Sequence, residues 1–175
     1  TKQVDYTNAF TQSPLKDNEE VYIKLPTGFS TEQEGDYVAK LNKSLYGMVQ
    51  SPLRWFEYLS KGLRHCGMEP SDYDPCLFLG DNVICVVYID DCIFSSKEDK
   101  YIDELVAKMR KHGFNLYYAD QSIAGYLGLD IKTTGTGKDK VIKFTQTGLI
   151  DRLLALTGMQ DCSPKDTPAT QQTQL

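Results

Sequence analysis

The sequence predicts an α+β fold in which helices pack on one face of an antiparallel sheet. Segments with strand-like alternation occur in pairs joined by short turn signals, which is typical of antiparallel hairpins. Amphipathic helical segments separate these pairs along the chain. The chain has 175 residues, of which 41% are hydrophobic and 25% are charged, so it is large enough to bury a core.

The first third of the chain predicts three strands and a loop. Residues 2–10 form a short opening strand that contains Asp5. Alternating residues at 21–25 and 37–41 predict two further strands. The link at 26–36 is rich in Gly, Ser and Glu, which predicts a solvated loop.

Two helices in the middle of the chain have signals at both ends. Ser51 and Pro52 predict an N-cap and a first helical position, and Gly67 stands where a glycine ends a helix. The second helix is predicted from Ser96 to Gly113, with acidic residues in its first turn and basic residues in its last.

The last third predicts a hairpin, a helix and a tail. Residues 126–132 and 141–144 read as two strands around a glycine-rich turn. Leucine and isoleucine at helical spacing predict a third helix over 147–157. The tail, 160–175, is rich in Pro, Thr and Gln, and we expect it to be loose.

Charge, cysteines and hydropathy narrow the classes of function. The net charge of −5 argues against unspecific nucleic-acid binding by the whole surface, but it allows a local basic channel or a site that gathers cations. Five cysteines without Cys-x-x-Cys spacing predict free thiols in a reducing compartment. With no signal peptide and no apolar run of transmembrane length, we expect a soluble chain that has no membrane partner. Because the chain starts at Thr1, we expect a piece of a longer protein.

The stretch with the most unusual chemistry is 83–94, where Asp90 and Asp91 interrupt an apolar run. A turn signal at 80–82 joins this stretch to a strand at 76–79, which predicts a hairpin. Burying two unpaired carboxylates would be costly, so we expect both at the exposed tip of a second hairpin, facing a cleft where a divalent metal can sit. The alternative is a polar turn between two core strands.

Asp5 is a further carboxylate inside an apolar strand, and that strand could neighbour the strand that carries Asp90 and Asp91. Three converging carboxylates persist when two hard cations roughly 3.5–4 Å apart neutralise them, an arrangement used for in-line phosphoryl transfer. The alternative is an edge-strand aspartate that points into water.

A series of motifs covers nearly the whole chain in order. They are VDYTNAF at 4–10, VYIKLPTGF at 21–29, KLNKSLYGMVQSPLRW at 40–55, YIDD at 88–91, YLGLDI at 126–131, TQTGLI at 145–150 and DTP at 166–168. Together they resemble the reverse transcriptase of copia-type (Ty1/copia, pseudovirus) LTR retrotransposons. Tyr-x-Asp-Asp alone is a weak signal, but the ordered series is specific.

The resemblance implies a polymerase palm with partial fingers and the start of a thumb. Residues 1–13 and 51–132 would form the palm, residues 14–50 a partial fingers insertion, and residues 133–175 the start of the thumb with a loose C-terminal tail. The implied activity is that of an RNA-directed DNA polymerase, a nucleotidyltransferase that joins a dNTP to a primer 3′-hydroxyl. The implied partners are an RNA or DNA template with primer, dNTP, and the upstream fingers and downstream RNase H of a parent polyprotein. The implied location is cytoplasmic, in a virus-like particle, or nuclear.

The resemblance also implies site residues. Asp5, Asp90 and Asp91 would be catalytic and would bind two Mg²⁺, or Mn²⁺ in their place, with the Tyr6 carbonyl as a further ligand. The implied nucleotide-binding residues are Tyr6, Ala9, Phe10, Tyr46, Gly47 and Gln50.

Two of the nucleotide-binding residues have roles that the family suggests. The Phe10 ring would clash with a 2′-hydroxyl and so select dNTP, and the alternative is a core Phe. Gly47 would let the backbone approach the substrate closely.

Other implied contacts are less specific. Tyr126, Leu127 and Gly128 match the primer grip, a hairpin that holds the primer end, and the alternative is an ordinary hairpin. Four residues are expected to contact the template backbone, and the alternative for each is a solvated surface side chain: Tyr37, Lys40, Lys43 and Arg54. The proton donor to pyrophosphate stays unassigned, with Lys111 as a weak candidate.

Two rival functions remain open at the sequence level. One is a non-catalytic nucleic-acid-binding or assembly module built on a polymerase-like palm. The other is a different two-metal palm enzyme, such as a nucleotide cyclase, which would need neither the aromatic gate nor the primer grip.

Overall fold

The computed structural model describes residues 1–26, 28–29, 37–119 and 126–164. The chain forms two compact units, Thr1–Gln121 and Ser122–Leu175. In chain order the first unit contains β1 (Lys2–Tyr6), α1 (Ala9–Gln12), β2 (Tyr22–Lys24), β3 (Val38–Lys40), α2 (Ser51–His65), β4 (Glu69–Pro70), β5 (Leu77–Leu79), β6 (Ile84–Tyr88), β7 (Asp91–Ser95), α3 (Asp99–Lys111) and β8 (Leu116–Tyr118).

Six strands of the first unit form one antiparallel sheet in the order β4-β5-β6-β7-β1-β8. The first strand of the chain therefore lies between β7 and β8. This placement brings the N-terminal segment beside the β6–β7 hairpin, which is distant in sequence. The mixed α and β content and the antiparallel sheet confirm the predicted α+β class.

Both long helices of the first unit cover the same face of the sheet. Along β6, Cys85 and Val87 are buried, while Ile84, Val86 and Tyr88 are exposed. The buried side chains of the sheet join one core with those of α2 and α3, whose buried members include Trp55, Leu59, Leu63, Ile102, Leu105, Val106 and Met109. The opposite face of the sheet, which carries Asp5 and Asp91, is therefore not covered by these two helices.

A separate two-stranded ribbon lies in the region predicted as partial fingers. β2 and β3 pair antiparallel, with Ile23 opposite Ala39. The predicted strands at 21–25 and 37–41 are thus present in shorter form. The predicted loop at 26–36 lies largely outside the described residues.

The second unit contains β9 (Asp130–Thr134), β10 (Val141–Thr145) and α4 (Thr147–Thr157). The two strands pair antiparallel and α4 has the predicted bounds. The prediction of a strand from Tyr126 was wrong, because Tyr126–Gly128 forms a 3₁₀ turn. Leu127 and Gly128 have φ of 51° and 76°, which an extended strand cannot contain.

Two predicted helix starts were also wrong. Ser51 is the first residue of α2 and not its N-cap, since its hydroxyl donates to the carbonyl of Leu45 at 2.6 Å. Helix α3 begins at Asp99 and not at Ser96, whose hydroxyl accepts the backbone N–H of Glu98 in the turn before the helix. Among the helices that the structure describes, none is long and apolar enough to span a membrane.

Candidate active site

Two of the three candidate carboxylates stand side by side on the open face of the sheet. Asp5 in β1 lies directly opposite Asp91 in β7. Residues directly opposite each other in an antiparallel pair project their side chains from the same face, with Cβ atoms about 4.5–5.5 Å apart. Both side chains are half-buried. The expectation that Asp5 neighbours the acidic pair is therefore confirmed.

The third carboxylate lies in the turn that joins β6 to β7. Tyr88 pairs with Asp91, so Ile89 and Asp90 form a two-residue hairpin loop. Ile89 has a φ of 56°, which a β-branched residue rarely adopts. The carbonyl of Ile89 accepts a 2.6 Å hydrogen bond from the indole N–H of Trp55 in α2. The predicted hairpin is therefore present, with Asp90 in its loop. The expectation that both carboxylates lie at an exposed tip was wrong for Asp91, because Asp91 is the first residue of β7 and pairs with Tyr88 and Asp5.

Neutral donors bind two of these carboxylates. The hydroxyl of Tyr117 in β8 donates to Asp5, and Gln3 Nε2 donates to Asp91 Oδ1 at 3.2 Å. Burial raises the pKa of Asp91, the Gln3 hydrogen bond lowers it, and the negative charges of Asp90 and Asp5 raise it further. The hydrogen bond to Asp5 raises the pKa of Tyr117, so this hydroxyl keeps its proton and stays a donor. Sequence reasoning missed Tyr117, and the one signal for it is the short run of Leu and Tyr at 116–118.

The three carboxylates do not form a ready-made metal cage. Within the described ranges, no group of three or more His, Cys, Asp and Glu side chains is arranged to hold a metal ion. Carboxylate oxygens are nonetheless the ligands that Mg²⁺ prefers, so the chemistry of the donors fits. Ionised side chains repel one another without a cation, and two of these three are turned toward neutral donors. Their oxygens would have to close in for metal binding.

An aromatic pair adjoins the acidic face. The ring centroids of Phe10 and Tyr46 are 4.6 Å apart and the planes are tilted by 48°. Burial raises the pKa of Tyr46, and the charges of Asp90 and Asp5 raise it further, so the ring lies within the field of the carboxylates. Phe10 lies at the margin of the core and is half-buried. The structure thus brings Phe10, Tyr46 and the carboxylates into one region.

The remaining nucleotide-binding candidates near this region differ in burial and in backbone conformation. Ala9 is fully buried as the first residue of α1, and Tyr6 is 2% exposed, on the face opposite Asp5. Any contact of Tyr6 with a metal or nucleotide therefore runs through its carbonyl. Gly47 has a φ of 90°, which favours glycine, and a Cβ there would meet no atom within 4 Å. Its backbone is therefore accessible. Gln50 precedes the first residue of α2.

Two of the residues expected at the template are held by acidic side chains. Arg54 binds Glu19 through Nε and Nη2 and binds Glu57 through Nη1 at 2.6 Å. Lys40 forms an ion pair with Glu20. Tyr126, Leu127 and Gly128 belong to the second unit, in the 3₁₀ turn that precedes β9.

Comparison with known families removes one of the two rival functions. A family model described as reverse transcriptase (RNA-dependent DNA polymerase) matches residues 1–171. The chain belongs to this reverse transcriptase family. Its curated relatives are Pol polyproteins of copia-type elements, which confirms the resemblance found in the motifs. The nucleotide-cyclase alternative does not fit this match.

This reverse transcriptase chain is similar to segments of much longer proteins. It is 30% identical over 171 residues to the retrovirus-related Pol polyprotein from transposon RE1 of Arabidopsis thaliana, covering 95% of the chain and 11% of that protein. It is 27% identical over 172 residues to the polyprotein from transposon TNT 1-94 of Nicotiana tabacum, covering 95% and 12%. It is 32% identical over 136 residues to the transposon Ty1-GR3 Gag-Pol polyprotein of Saccharomyces cerevisiae, covering 74% and 8%.

The reverse transcriptase chain thus spans about a tenth of the length of the curated relatives that it matches. No solved structure matches it.

Proposed function

We propose that this chain is the catalytic palm region of an RNA-directed DNA polymerase, encoded within a copia-type retrotransposon polyprotein. The observation that supports this most is the register that sets Asp5 opposite Asp91, beside a hairpin loop that carries Asp90. A structural sheet gains nothing from opposed like charges, whereas a site for divalent cations requires them.

The proposed reaction is the attack of a primer 3′-hydroxyl on the α-phosphorus of a dNTP, which breaks the bond between the α- and β-phosphates and releases pyrophosphate. Asp5, Asp90 and Asp91 would hold two divalent ions, Mg²⁺ or Mn²⁺, with the Tyr6 carbonyl as a further ligand. Bound divalent ions supply Lewis-acid stabilisation of the charge that develops on the transferring phosphoryl group. Tyr117 and Gln3 would orient these ligands, because Tyr117 donates to Asp5 and Gln3 donates to Asp91.

The nucleotide would lie beside the aromatic pair. Phe10, supported by the Tyr46 ring, would stand where a 2′-hydroxyl would clash and so select dNTP. Gly47 offers backbone that the substrate can approach, and Ala9 at the start of α1 and Gln50 directly before α2 would be further nucleotide contacts. Tyr126, Leu127 and Gly128 are proposed to hold the primer end as the primer grip, although the local form is a turn.

The wider architecture is also proposed from the family. Residues 1–13 and 51–132 would be palm, residues 14–50 partial fingers, and residues 133–175 the start of the thumb. Template with primer, the upstream fingers and a downstream RNase H would complete the enzyme. Because the relatives are named Gag-Pol and Pol polyproteins, we propose a virus-like particle, in the cytoplasm or in the nucleus, as the setting.

The decisive experiment replaces one carboxylate in the full-length parent polymerase. Asp90→Asn should lower primer extension on an RNA template by roughly a thousandfold, because a ligand that stabilises transition-state charge is lost. Binding of the primer–template duplex should be unchanged. Asp81→Asn, in the exposed turn between β5 and β6, is the matched control and should extend normally. Normal extension by Asp90→Asn would support the non-catalytic binding module instead.

A further inference from the structure

We propose that Trp55 is a positioning residue for the carboxylate hairpin, and that its indole N–H holds the Ile89–Asp90 loop in the conformation that presents Asp90. This inference rests on the proposed polymerase function. It adds a buried residue of helix α2 to the carboxylate site, whose three aspartates lie on two strands and in one loop.

The loop is strained at the residue that Trp55 binds. Ile89 has a φ of 56°, in the left-handed region that its branched Cβ disfavours. Such a residue persists only where its surroundings over-determine the backbone, and strained residues of this kind cluster at functional sites. The Ile89 side chain is 45% exposed, so packing of that side chain does not fix the loop. The restraint has to act on the backbone.

The indole of Trp55 supplies that restraint. Its Nε1–H donates to the Ile89 carbonyl at 2.6 Å, and the side chain is 1% exposed. A buried indole N–H has one hydrogen to give and loses free energy if no acceptor takes it. The hydrogen bond therefore favours the one loop conformation in which the Ile89 carbonyl points into the core, and with it the position of Asp90.

Trp55 also contacts the strand of the first carboxylate. Its ring meets the Tyr6 ring edge-on at 5.0 Å between centroids, and Tyr6 directly follows Asp5 in β1. One rigid side chain thus touches both the strand that carries Asp5 and the loop that carries Asp90.

The helix that carries Trp55 is itself anchored near the nucleotide-binding segment. In its first turn, Ser51 donates to the Leu45 carbonyl at 2.6 Å, one residue before Tyr46. The start of α2 therefore links Trp55 to the segment expected to line the nucleotide.

The first test measures the Mg²⁺ dependence of primer extension by the full-length polymerase. Trp55→Phe keeps an aromatic ring and removes the donor, and we expect kcat to fall roughly ten- to hundredfold with a higher Mg²⁺ requirement. Leu59→Val is the matched control. Leu59 is a buried side chain one turn further along the same helix face, and it has no hydrogen-bonding group that could bind the loop. Equal losses of kcat in Trp55→Phe and Leu59→Val would show that Trp55 contributes only packing, and would overturn the inference.

The second test is rescue. Glycine adopts a φ of 56° without strain, so Ile89→Gly should need the indole restraint less. We expect primer extension by the Trp55→Phe, Ile89→Gly double variant to be about threefold faster than additive effects of the two changes would give. This factor corresponds to a coupling free energy between the two positions of roughly 0.6 kcal/mol. Additive effects of the two changes would overturn the proposal. If Asp90→Asn is inactive while these changes are additive, the polymerase function stands and the role of Trp55 falls.

A third measurement removes the donor without changing ring size and serves if Trp55→Phe does not fold. Trp55 is the single tryptophan of the chain, so growth on the benzothiophene analogue of tryptophan replaces its N–H with sulfur at this position alone. The 175-residue chain with the analogue should bind Mn²⁺ several-fold more weakly than the natural chain. Equal Mn²⁺ affinities would contradict the positioning role.

Discussion

Asp5 lies directly opposite Asp91 on neighbouring antiparallel strands, and each carboxylate accepts a hydrogen bond from a different neutral side chain. Like charges in opposed positions destabilise a sheet. The donors Tyr117 and Gln3 reduce this repulsion but leave both charges in place. The repulsion between Asp5 and Asp91 therefore still destabilises the sheet, and a bound divalent cation would remove it. A residue arrangement that lowers stability in this way is expected at a functional site.

The first prediction concerns the stability of the metal-free chain. Burial raises the pKa of Asp91, so the folded state binds a proton there more tightly than the unfolded state. The stability that this proton provides is present below the ordinary aspartate pKa and is lost as pH rises through the raised value. Asp91→Asn should therefore be more stable than the natural chain at neutral pH, by less than ~1 kcal/mol because solvent screens the repulsion.

Urea unfolding at a series of pH values without divalent ions would measure this effect. The advantage of Asp91→Asn should shrink in acid and grow as the carboxylate ionises. Asp81→Asn, which alters an exposed carboxylate in a turn, is the control and should show no such trend. A natural chain that is more stable than Asp91→Asn at neutral pH would contradict the repulsion argument.

The second prediction concerns Tyr117. Because its hydroxyl donates to Asp5, Tyr117→Phe removes a group that orients a proposed metal ligand. Loss of such outer-shell partners typically costs 10–100-fold in metal affinity, so the Mg²⁺ concentration for half-maximal extension should rise about tenfold. Extension at saturating Mg²⁺ should change less. Tyr118→Phe is the matched control, since Tyr118 donates to Asp103 on α3 and not to a site carboxylate. Identical Mg²⁺ dependence in all three proteins would exclude the orienting role.

Local sequence signals were sufficient for several elements. Helix α4 has the predicted bounds because its apolar spacing and its flanking residues are all within one segment. The hairpin at Asp90 follows from two charged residues inside an apolar run, since burying both would be costly. The resemblance to the family added the assignment of catalytic roles to the three carboxylates, and that assignment stays a prediction.

Other features depend on contacts between distant segments. Strand β8 has three residues, and its pairing with β1 is what brings Tyr117 to Asp5. The hydrogen bond from Trp55 to Ile89 joins residues 34 positions apart, and no periodic pattern encodes it. The turn at Tyr126–Gly128 departs from the predicted strand because two successive residues there have positive φ.

The third prediction tests the packing of α2 against the core. A Cβ on Gly62 would lie 2.3 Å from the ring of Phe114. That ring is held by Tyr58 at 4.7 Å and by Tyr6 at 6.0 Å between centroids, so it cannot swing away cheaply. Gly62→Ala should destabilise the chain by roughly 1–3 kcal/mol through overpacking, despite the better helix propensity of alanine.

Gly148 provides the opposite case for this experiment. It lies in the first turn of α4, and a Cβ there would meet nothing within 4 Å. Gly148→Ala should gain up to ~1 kcal/mol from helix propensity alone. Thermal unfolding followed by circular dichroism would compare the two. Stabilisation by Gly62→Ala would show that Phe114 yields readily.

The last prediction separates a structural role of Arg54 from contact with the template backbone. Its guanidinium binds Glu19 and Glu57, and its side chain is 12% exposed. Arg54→Gln should therefore lower the unfolding temperature of the chain. The hydrogen bond from Arg54 lowers the pKa of Glu19, so the pair stabilises the fold above the ordinary glutamate pKa and loses this effect as pH falls through the lowered value. The difference between the natural chain and Arg54→Gln should accordingly narrow in acid.

Binding of the full-length polymerase to a primer–template duplex completes this test. Removing a phosphate contact reduces the slope of log affinity against log salt by ~1, whereas removing an internal ion pair leaves the slope unchanged. We expect an unchanged slope for Arg54→Gln. Lys43→Gln is the matched comparison, because Lys43 is exposed and its motif predicts a template contact. A guanidinium engaged by two carboxylates has little capacity left for phosphate, which is why we expect no change for Arg54. A reduced slope for Arg54→Gln would show instead that Arg54 contacts the template backbone.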